Sequence, residues 1–578
     1  MKQLMLGNAA VARGAFEAGV RVVSSYPGTP STEITENIVQ YPQIDVEWAP
    51  NEKVAAEVAI GASLANARAM SCMKHVGLNV MADPVFTASY IGAAGGLVLC
   101  VADDPGMHSS QNEQDSRHYA KAAKILMLEP SDSQECKDFA RAAFDLSEEY
   151  QTPVFLRLST RVSHSQSLVE LGEAEEHVPA PYVKDAGRVM MPANARRAHE
   201  RVEKRVRTLS QWAEKCPFNT VEDNGARIGV ISSGAAYLYA KESLGESVNY
   251  LKLGVVYPLP EKKILDFCNG LDAVYVIEEL DPYIEEHCKR LGVHVIGKEK
   301  FTLLGEYNAA MIREAVRGEK APAGPAPAEP VPVRPPVMCA GCPHRGVFYV
   351  LSKLGLFVSG DIGCYTLGAI APLNSMDFNI CMGASVGAAF GMVKAQGREF
   401  GKKVVSVIGD STFIHSGITG LIDIVYNKGS NTVIILDNSI TGMTGHQDNP
   451  TTGRTIRGEP TRQVDLELLC KAVGVDRVRI VDPFDLDEME RVVKEELSAD
   501  EPSVIIAQRP CALLKTVKYT GLYRVTDECR KCGRCMKLGC PAISKSAGGV
   551  VSISPDQCVG CGLCPGVCPF GAIEKEGA

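Results

Sequence analysis

The sequence lacks any apolar run long enough to cross a bilayer and any stretch that resembles a secretion leader. Its longest apolar run, residues 90–102, is rich in glycine and shorter than the roughly 20 residues that a membrane-spanning helix needs. The first residues have neither the apolar core nor the small-residue cleavage site of a signal peptide. We therefore expect a cytoplasmic protein without a membrane partner, in which clustered cysteines bind metal rather than form disulfides.

An excess of positive charge is also missing. The 60 lysines and arginines are outnumbered by 69 aspartates and glutamates, which gives a net charge of −9. This balance argues against a nucleic-acid partner. The hydrophobic fraction of 45% is ordinary for a globular protein, and 578 residues are enough for several domains with cores of their own.

What the chain does have is a repeated alternation of strands and helices. Short apolar segments alternate with helices rich in small residues over residues 1–165, and the alternation restarts over 226–315 and again over 337–520. This βαβ pattern predicts a multidomain α/β protein with mainly parallel sheets and helices on both faces.

The predicted domains follow from changes in this pattern. Residues 165–225 are charged and irregular, with a basic helical run over 196–215, so we interpret them as a connection. A proline-rich stretch predicts a semi-rigid linker. The predicted segments are an N-terminal domain (1–170), an irregular connection (171–225), a smaller α/β domain (226–318), the linker (319–336), a third α/β domain (337–520) and a cysteine-rich tail (521–578).

Eight of the twenty cysteines lie in that tail, in two runs with iron–sulfur spacing. Each run places three cysteines at every third position, and a fourth cysteine followed by proline usually crosses to the other cluster. We predict two [4Fe–4S] clusters in a ferredoxin-like domain, because three ligands in one short loop suit a cubane better than the alternative, a tetrahedral zinc site. The predicted ligand sets are Cys529, Cys532, Cys535 and Cys568 for one cluster, and Cys558, Cys561, Cys564 and Cys540 for the other.

One feature of the tail departs from the usual spacing. Four residues, instead of the usual three, separate Cys535 from Cys540. This leaves open the geometry of the cluster that Cys540 is predicted to bind. The tail as a whole predicts that the chain transfers single electrons at low potential.

In the third domain, polar side chains follow two apolar strands. Gly409-Asp410-Ser411 ends the first strand and Asn438 ends the second. The carboxyl ends of strands in an open α/β sheet are where ligands bind. The Asp410 carboxylate and the Asn438 amide oxygen are hard ligands that suit Mg²⁺ shared with a diphosphate, and Gly409 would let the backbone approach a phosphate. A plain turn after a strand is the alternative.

The spacing of these residues resembles the thiamine diphosphate fingerprint, although Ser411 stands where glycine is usual and Asp437 where a first asparagine is usual. Three further motifs make the resemblance specific to the diphosphate-binding domain of the 2-oxoacid:ferredoxin oxidoreductases. Those motifs are Cys339-Ala340-Gly341-Cys342-Pro343-His344-Arg345, Gly360-Asp361-Ile362-Gly363-Cys364-Tyr365 and Met382-Gly383-Ala384-Ser385-Val386-Gly387.

The resemblance implies which residues of this domain hold the cofactor. Asp410, Asn438 and the backbone carbonyl of Ile440 are implied to bind Mg²⁺. The Cys-x-x-Cys opening is implied to contact the cofactor; zinc at Cys339 and Cys342 is the alternative, which lacks a second ligand pair at the expected spacing. The implied cofactor contacts here are Gly341, Cys342, His344, Gly363, Cys364, Met382, Gly383, Gly409, Asp410, Ser411, Asn438 and Ile440.

Two motifs of the N-terminal domain resemble the same family. Glu52 begins a helix of small residues, and the resemblance implies that it is the catalytic carboxylate that hydrogen-bonds the aminopyrimidine ring of thiamine diphosphate. The loop that contains Gly28 and Thr29 is implied to contact cofactor or substrate, with Thr29 in a catalytic position. On their own, Glu52 would be a first-turn glutamate that complements the helix dipole and Thr29 a turn residue.

Two polar loops, 74–79 and 108–115, are predicted to face the same site. Pyruvate-specific members of the family carry an arginine near the second loop that binds the substrate carboxylate, but the corresponding stretch here is 103–106, Asp-Asp-Pro-Gly. They also carry an asparagine where Met443 stands. Both departures imply a substrate with a larger and less polar side chain than pyruvate.

The resemblance covers nearly the whole chain and implies the larger subunit of an enzyme that acts on aryl 2-oxoacids. The implied reaction is the ferredoxin-dependent oxidative decarboxylation of an aryl 2-oxoacid, with indole-3-pyruvate foremost, and coenzyme A to arylacetyl-CoA, CO₂ and reduced ferredoxin. The implied partners are a smaller beta subunit in an α2β2 heteromer and an external ferredoxin. His415 and His446 are candidate proton shuttles.

Two other functions remain open at this point. A non-oxidative thiamine-dependent 2-oxoacid decarboxylase would not need the cysteine-rich tail. An electron-transfer subunit of a related oxidoreductase would not need Asp410, Asn438 or Glu52.

Overall fold

The computed structural model describes residues 1–320, 329, 331 and 335–576. The chain divides into two compact units, Met1–Ala328 and Glu329–Ala578. Most of the predicted linker over 319–336 lies outside the described residues. Within the described part of the chain, no helix combines the length and the apolar character that crossing a membrane requires.

Strands and helices alternate through most of the first unit. Its strands are β1 (Lys2–Leu6), β2 (Val22–Ser25), β3 (Asp45–Trp48), β4 (Ala69–Lys74), β5 (Leu97–Asp103), β6 (Leu126–Leu128), β7 (Val154–Ser159), β8 (Gln166–Glu170), β9 (Asn219–Glu222), β10 (Ile228–Ser232), β11 (Asn249–Leu253), β12 (Val255–Tyr257) and β13 (Ala273–Ile277).

Its helices connect these strands. They are α1 (Gly7–Glu17), α2 (Thr32–Ile38), α3 (Glu52–Leu64), α4 (His75–Val80), α5 (Ala82–Ile91), α6 (Arg117–Ala123), α7 (Ser133–Tyr150), α8 (Thr160–His164), α9 (Pro192–Ala213), α10 (Gly234–Leu244), α11 (Glu261–Cys268), α12 (Tyr283–Arg290) and α13 (Ala309–Arg317).

Seven strands form the main sheet of this unit, in the order β12-β6-β7-β5-β4-β2-β3. Neighbouring strands are parallel except for β12 and β6. Every residue of β4, β5 and β7 is buried, as parallel strands covered on both faces should be. The carboxyl ends of β2, β4 and β5 therefore lie side by side, and the loops that follow them are neighbours.

Two smaller sheets complete the unit. The second sheet has the order β13-β10-β11-β9, with β9 antiparallel, and β1 pairs with β8. The segment predicted as an irregular connection thus contains the long basic helix α9 and gives one strand, β9, to the second sheet. Conversely, β12 leaves the predicted second domain and pairs with β6 at the edge of the main sheet.

Buried ion pairs hold the loop between β5 and α6. The guanidinium of Arg157, on β7, donates to the Asp103 carboxylate at 2.8 Å. Arg117, which is 1% exposed, pairs with Asp115 and with Glu278 beside the second sheet. Buried charges are tolerated when they are paired, so this network fixes both ends of the 103–117 loop.

We expect Arg117→Leu to destabilise the protein by about 3–5 kcal/mol, because it leaves the Asp115 and Glu278 carboxylates buried without their partner. Equilibrium unfolding in urea measures the change. Arg227→Leu is the matched control, since the ion pair between Arg227 and Asp272 is exposed, and it should leave the midpoint unchanged. Equal midpoints for both variants would contradict the role given to Arg117.

The second unit also alternates strands and helices before its tail. Its strands are β14 (Phe357–Ser359), β15 (Val404–Gly409), β16 (Thr432–Asp437), β17 (Arg477–Val481), β18 (Ser503–Gln508), β19 (Tyr523–Val525), β20 (Ile543–Lys545), β21 (Val551–Ile553) and β22 (Ile573–Lys575). Its helices are α14 (His344–Leu354), α15 (Ala384–Gln396), α16 (Arg398–Gly401), α17 (Asp410–Thr412), α18 (Ile418–Tyr426), α19 (Leu466–Ala472) and α20 (Leu486–Ser498).

A five-stranded parallel sheet organises this unit, in the order β14-β15-β16-β18-β17. Apolar side chains of the sheet pack against α14 and α20 in a core that also includes the tail residues Cys535, Leu538 and Leu563. The tail adds two short antiparallel pairs, β19 with β22 and β20 with β21. The tail is therefore packed onto the parallel sheet domain and shares its core.

Candidate active site

The first part of the site lies where β15 and β16 end next to each other. Asp410 is 2% exposed, and its carboxylate accepts hydrogen bonds from the Ser411 amide at 2.7 Å and the Thr451 hydroxyl at 3.4 Å. Burial raises the pKa of Asp410 to about 8, and the neighbouring Asp437 carboxylate adds to the rise. Two buried carboxylates at one sheet edge fit a divalent cation, which would offset their repulsion, and oxygen donors suit Mg²⁺.

Asn438 is oriented by a buried histidine that was predicted only as a cofactor contact. The Asn438 side-chain amide donates to Nε2 of His344 at 3.3 Å. Burial lowers the pKa of His344 to about 4, so the ring is neutral and can accept this hydrogen bond. The Asn438 amide oxygen accepts from the Ile440 amide at 3.3 Å. Asp410 directly follows β15, the strand beside β16, so the three predicted Mg²⁺ ligands Asp410, Asn438 and Ile440 lie at one edge of the sheet.

Asp361 holds two of the predicted cofactor loops together, a role that the sequence analysis missed. Its buried carboxylate accepts from the backbone amides of Gly383 at 2.9 Å and Ser385 at 3.0 Å, and from its neighbour Ile362. The loop with Gly363 is thereby fixed beside the loop with Met382. A carboxylate directly before a glycine-rich turn was the available signal.

Gly409 is needed for packing in addition to any approach to a phosphate. A Cβ atom on Gly409 would lie 2.7 Å from the ring of Tyr365, and one on Gly363 would lie 2.3 Å from the same ring. The Tyr365 hydroxyl donates to the Ile362 carbonyl at 2.8 Å. The glycines therefore let an aromatic ring close the gap between the β15 end and the neighbouring loop.

Four cysteines converge beside Asn438, and the sequence analysis connected only two of them. Burial raises the pKa of Cys342 to about 12, and the nearby thiols of Cys339 and Cys364 add to the rise. Burial likewise raises the pKa of Cys364 to about 11, with contributions from Cys511 and Cys339. The Cys511 amide donates to the Asn438 carbonyl at 2.9 Å, so this fourth thiol belongs to the same corner of the unit.

The predicted cluster ligands of the tail lie around two cavities. One cavity is lined by Cys529, Cys532, Cys535 and Cys568. The other is lined by Cys540, Cys558, Cys561 and Cys564, together with Ala340, Gly341 and Arg345. The structure thus places each crossing cysteine with the opposite run, and the extra residue before Cys540 does not prevent it.

The second cavity touches the Cys-x-x-Cys turn directly. A Cβ atom on Gly341, whose φ is +74°, would lie 2.7 Å from Val559 and 3.5 Å from Cys561. The Arg345 guanidinium donates to the carbonyls of Leu538 and Met338, both at 2.6 Å, and so joins the tail to the start of α14. One cluster site therefore borders the four-cysteine corner of the parallel sheet domain.

In the first unit, Glu52 is the first residue of α3 and is 4% exposed. The helix start is fixed because the Asn51 side chain accepts from the Val54 amide at 2.9 Å. A Cβ atom on Gly77 would lie 2.6 Å from Oε1 of Glu52. Helix α4, which begins directly after β4 where a polar loop over 74–79 was predicted, thus provides the space in which the Glu52 carboxylate lies.

The predicted polar loops pack against each other beside the Thr29 turn. The Ser109 hydroxyl donates to the Thr29 carbonyl at 3.2 Å, and Lys74 donates to the Ser109 carbonyl at 2.8 Å. His75 Nε2 lies 3.2 Å from the Asn112 carbonyl. Gly28, Thr29, Glu52 and the two loops are therefore brought together at one edge of the main sheet.

The remaining predicted residues have different surroundings. His415 is buried and its Nδ1 lies 2.6 Å from the Ser416 hydroxyl, whereas His446 is exposed and lies 4.0 Å from the Cys511 sulfur. Met443 is 51% exposed. The proton-shuttle roles of the two histidines stay predictions.

Three family models match this chain. Residues 13–208 match the thiamine diphosphate-binding model of pyruvate flavodoxin/ferredoxin oxidoreductases. Residues 361–507 match the C-terminal binding domain of thiamine pyrophosphate enzymes, and residues 551–574 match a 4Fe–4S binding domain. These matches confirm the predicted α/β fold class and the predicted thiamine diphosphate and iron–sulfur cofactors.

Curated relatives match over nearly the full length. Indolepyruvate oxidoreductase subunit IorA of Archaeoglobus fulgidus is 41% identical and covers 99% of this chain and 97% of its own length. The subunit of the same name from Methanothermobacter thermautotrophicus is 40% identical and covers 100% and 98%. Among solved structures, 2-oxoglutarate:ferredoxin oxidoreductase from Magnetococcus marinus aligns with a TM-score of 0.45 and 17% identity, covering 55% of this chain and 65% of that chain.

We expect Gly77→Ala to lower 2-oxoacid-dependent dye reduction about 100-fold, because the new methyl group displaces the Glu52 carboxylate. Thermal unfolding should change little. Gly61→Ala, on the exposed side of α3 with no atom within 4 Å of the new Cβ, is the control and should keep full activity. Full activity in Gly77→Ala would show that the position of Glu52 does not matter.

Proposed function

The chain belongs to the family of the indolepyruvate oxidoreductase IorA subunits, and we propose that it catalyses the ferredoxin-dependent oxidative decarboxylation of aryl 2-oxoacids. The substrate is indole-3-pyruvate, the acyl acceptor is coenzyme A, and the products are indoleacetyl-CoA, CO₂ and reduced ferredoxin. One observation carries the proposal. A thiamine-type metal edge and two four-cysteine cavities occur in the same unit, with one cavity bordered by the turn that leads to His344.

The family membership was predicted from the motifs and is confirmed by the full-length relatives. It argues against the two alternatives, since the matched models include both a thiamine-binding and an iron–sulfur domain. A non-oxidative decarboxylase would leave the iron–sulfur domain unused, and an electron-transfer subunit would leave the thiamine-binding domains unused.

We assign Glu52 to the aminopyrimidine ring, and Asp410, Asn438 and the Ile440 carbonyl to Mg²⁺ and the diphosphate. When bound, thiamine diphosphate supplies the electron sink that decarboxylation of a 2-oxoacid requires. The buried Glu52 carboxylate is suited to hold a proton against the ring, and Gly77 leaves the space for it. His344 keeps the Asn438 amide in one orientation, so that its oxygen stays on the metal side.

We further infer that Cys339, Cys342, Cys364 and Cys511 hold a third iron–sulfur cluster. The support is that the four residues lie at one corner. The Cys342 amide donates to the Cys339 carbonyl at 3.2 Å, and the Cys511 amide donates to the Asn438 carbonyl at 2.9 Å. A Cβ atom on Gly442 would lie 3.4 Å from the Cys364 sulfur and 3.9 Å from the Asn438 amide nitrogen. Buried thiols of raised pKa become thiolates when iron binds them. Such a cluster would lie between the Asn438 corner and the Cys561 cavity.

Iron analysis distinguishes three clusters from two. Protein purified without oxygen should contain about twelve irons per chain, because each cubane holds four. Cys511→Ser should lose about four of them. Cys268→Ser, a half-buried position in α11, is the control and should lose none. About eight irons in the unsubstituted protein would contradict the third cluster.

The relatives are named as subunits, so we propose that this chain works with a smaller beta subunit, in an α2β2 heteromer. An external ferredoxin accepts the electrons. Residues 515–576 contain nine lysines and arginines against five aspartates and glutamates, in a chain whose net charge is −9. Exposed Arg530, Lys531 and Arg534 flank the exposed Cys532, which suits an acidic redox partner. A cytoplasmic location fits the many free thiols.

The experiment that tests the proposed function is a substrate panel. The assembled enzyme should reduce a viologen dye with indole-3-pyruvate, phenylpyruvate and hydroxyphenylpyruvate, and the rate should require coenzyme A. Pyruvate should be a poor substrate. Dye reduction that is independent of coenzyme A, or a preference for pyruvate, would overturn the proposal.

A further inference from the structure

Lys74 is a buried lysine among the predicted site residues of the first unit. It is the last residue of β4, and only 8% of its surface is exposed. Its side chain runs past Gly28, where a Cβ atom would lie 3.4 Å from Cγ of Lys74. The ammonium group therefore lies beside the Gly28–Thr29 turn, on the same sheet edge as Glu52.

Among the described residues, the ammonium has one hydrogen-bond acceptor and no direct ion pair. Its single hydrogen bond goes to the Ser109 carbonyl at 2.8 Å, and it forms no ion pair with any residue of the described ranges. Asp104 is near but occupied, because its carboxylate accepts from the Ser109 amide, the Ser110 hydroxyl and the Thr160 hydroxyl at 2.6–2.9 Å. An ammonium can donate three hydrogen bonds, so two donors remain for a ligand.

Other cations around this loop are committed elsewhere. Arg157 donates to Asp103 and Glu129, and Arg117 pairs with Asp115 and Glu278. Burial lowers the pKa of His75, so this ring is not a source of positive charge. Burial lowers the pKa of Lys74 to about 8, with Asp104 and Glu52 opposing the shift, which leaves the ammonium charged at neutral pH.

Burying a charge without a partner is unfavourable, so such a group points to a ligand of opposite charge. We propose that Lys74 binds the carboxylate of the 2-oxoacid substrate. The inference rests on the proposed function. It also explains why the 103–106 stretch lacks the arginine that binds the substrate carboxylate in pyruvate-specific members, since Lys74 would make that contact here. With the carboxylate held by Lys74 beside Ser109 and Thr29, the aryl group is left to contacts that do not involve charge.

The substrate carboxylate leaves as CO₂, so its contact with Lys74 exists only until decarboxylation. Removing the contact should therefore weaken substrate binding and have little effect on the later steps. We expect Lys74→Met to raise KM for indole-3-pyruvate at least about 30-fold, the usual result of removing one partner of a buried charge pair. The turnover number should stay within about threefold. Lys74→Arg, which keeps the charge, should recover most of the affinity.

A pair of inhibitors separates carboxylate binding from a structural role. The test uses the assembled holoenzyme, with thiamine diphosphate content and thermal unfolding measured for each variant. Indole-3-lactate carries the carboxylate, and indole-3-lactamide replaces it with a neutral amide. Lys74→Met should weaken lactate inhibition at least about 30-fold and leave lactamide inhibition unchanged.

Two results would overturn the assignment. One is unchanged lactate inhibition in Lys74→Met. The other is an equal loss for lactate and lactamide, which would mean that Lys74 only supports the Ser109 loop. If Lys74→Met does not fold, the same comparison in Lys74→Gln decides. If the unsubstituted enzyme reduces no dye with aryl 2-oxoacids, the proposed function fails, yet direct binding of lactate and lactamide still tests Lys74.

Discussion

The need to pair buried charges shapes the loop between β5 and α6 in the first unit. Arg117 and Arg157 are almost fully buried and require carboxylates within hydrogen-bond distance. Asp103 and Asp115, at the two ends of one loop, meet that requirement. With both ends fixed, the residues between them fold back onto the β4–α4 junction and form the wall that carries Ser109. The loop over 103–117 is thus held by buried ion pairs at its two ends.

The buried carboxylates of the second unit are arranged differently. Asp410 and Asp437 are buried beside each other, and the contacts they make do not include a positive side chain among the described residues. A cation bound at this edge would offset their repulsion, so metal binding and the stability of the edge would be coupled.

The features that could be predicted from the sequence are those that depend on residues close together in the chain. The parallel strands predicted by the alternation over 226–315 are observed as β10, β11 and β13, and the tail cysteines converge because each run lies within one short loop. The features it missed join distant parts of the chain. Cys511 reaches Cys364 only because β18 lies beside β16, and β12 pairs with β6 across an intervening domain. Lys74 was placed in a polar loop, but its lack of a counter-ion becomes visible only when the surrounding carboxylates are located.

The two tail cavities differ in their surroundings. The Cys561 cavity is walled by Ala340, Gly341 and Arg345, whereas Cys532 of the other set is exposed. Dissolved oxygen meets an exposed cluster before a covered one, so oxidative damage should begin at the outer cluster. A chain exposed briefly to air would then still bind and decarboxylate its substrate but could no longer pass electrons outward.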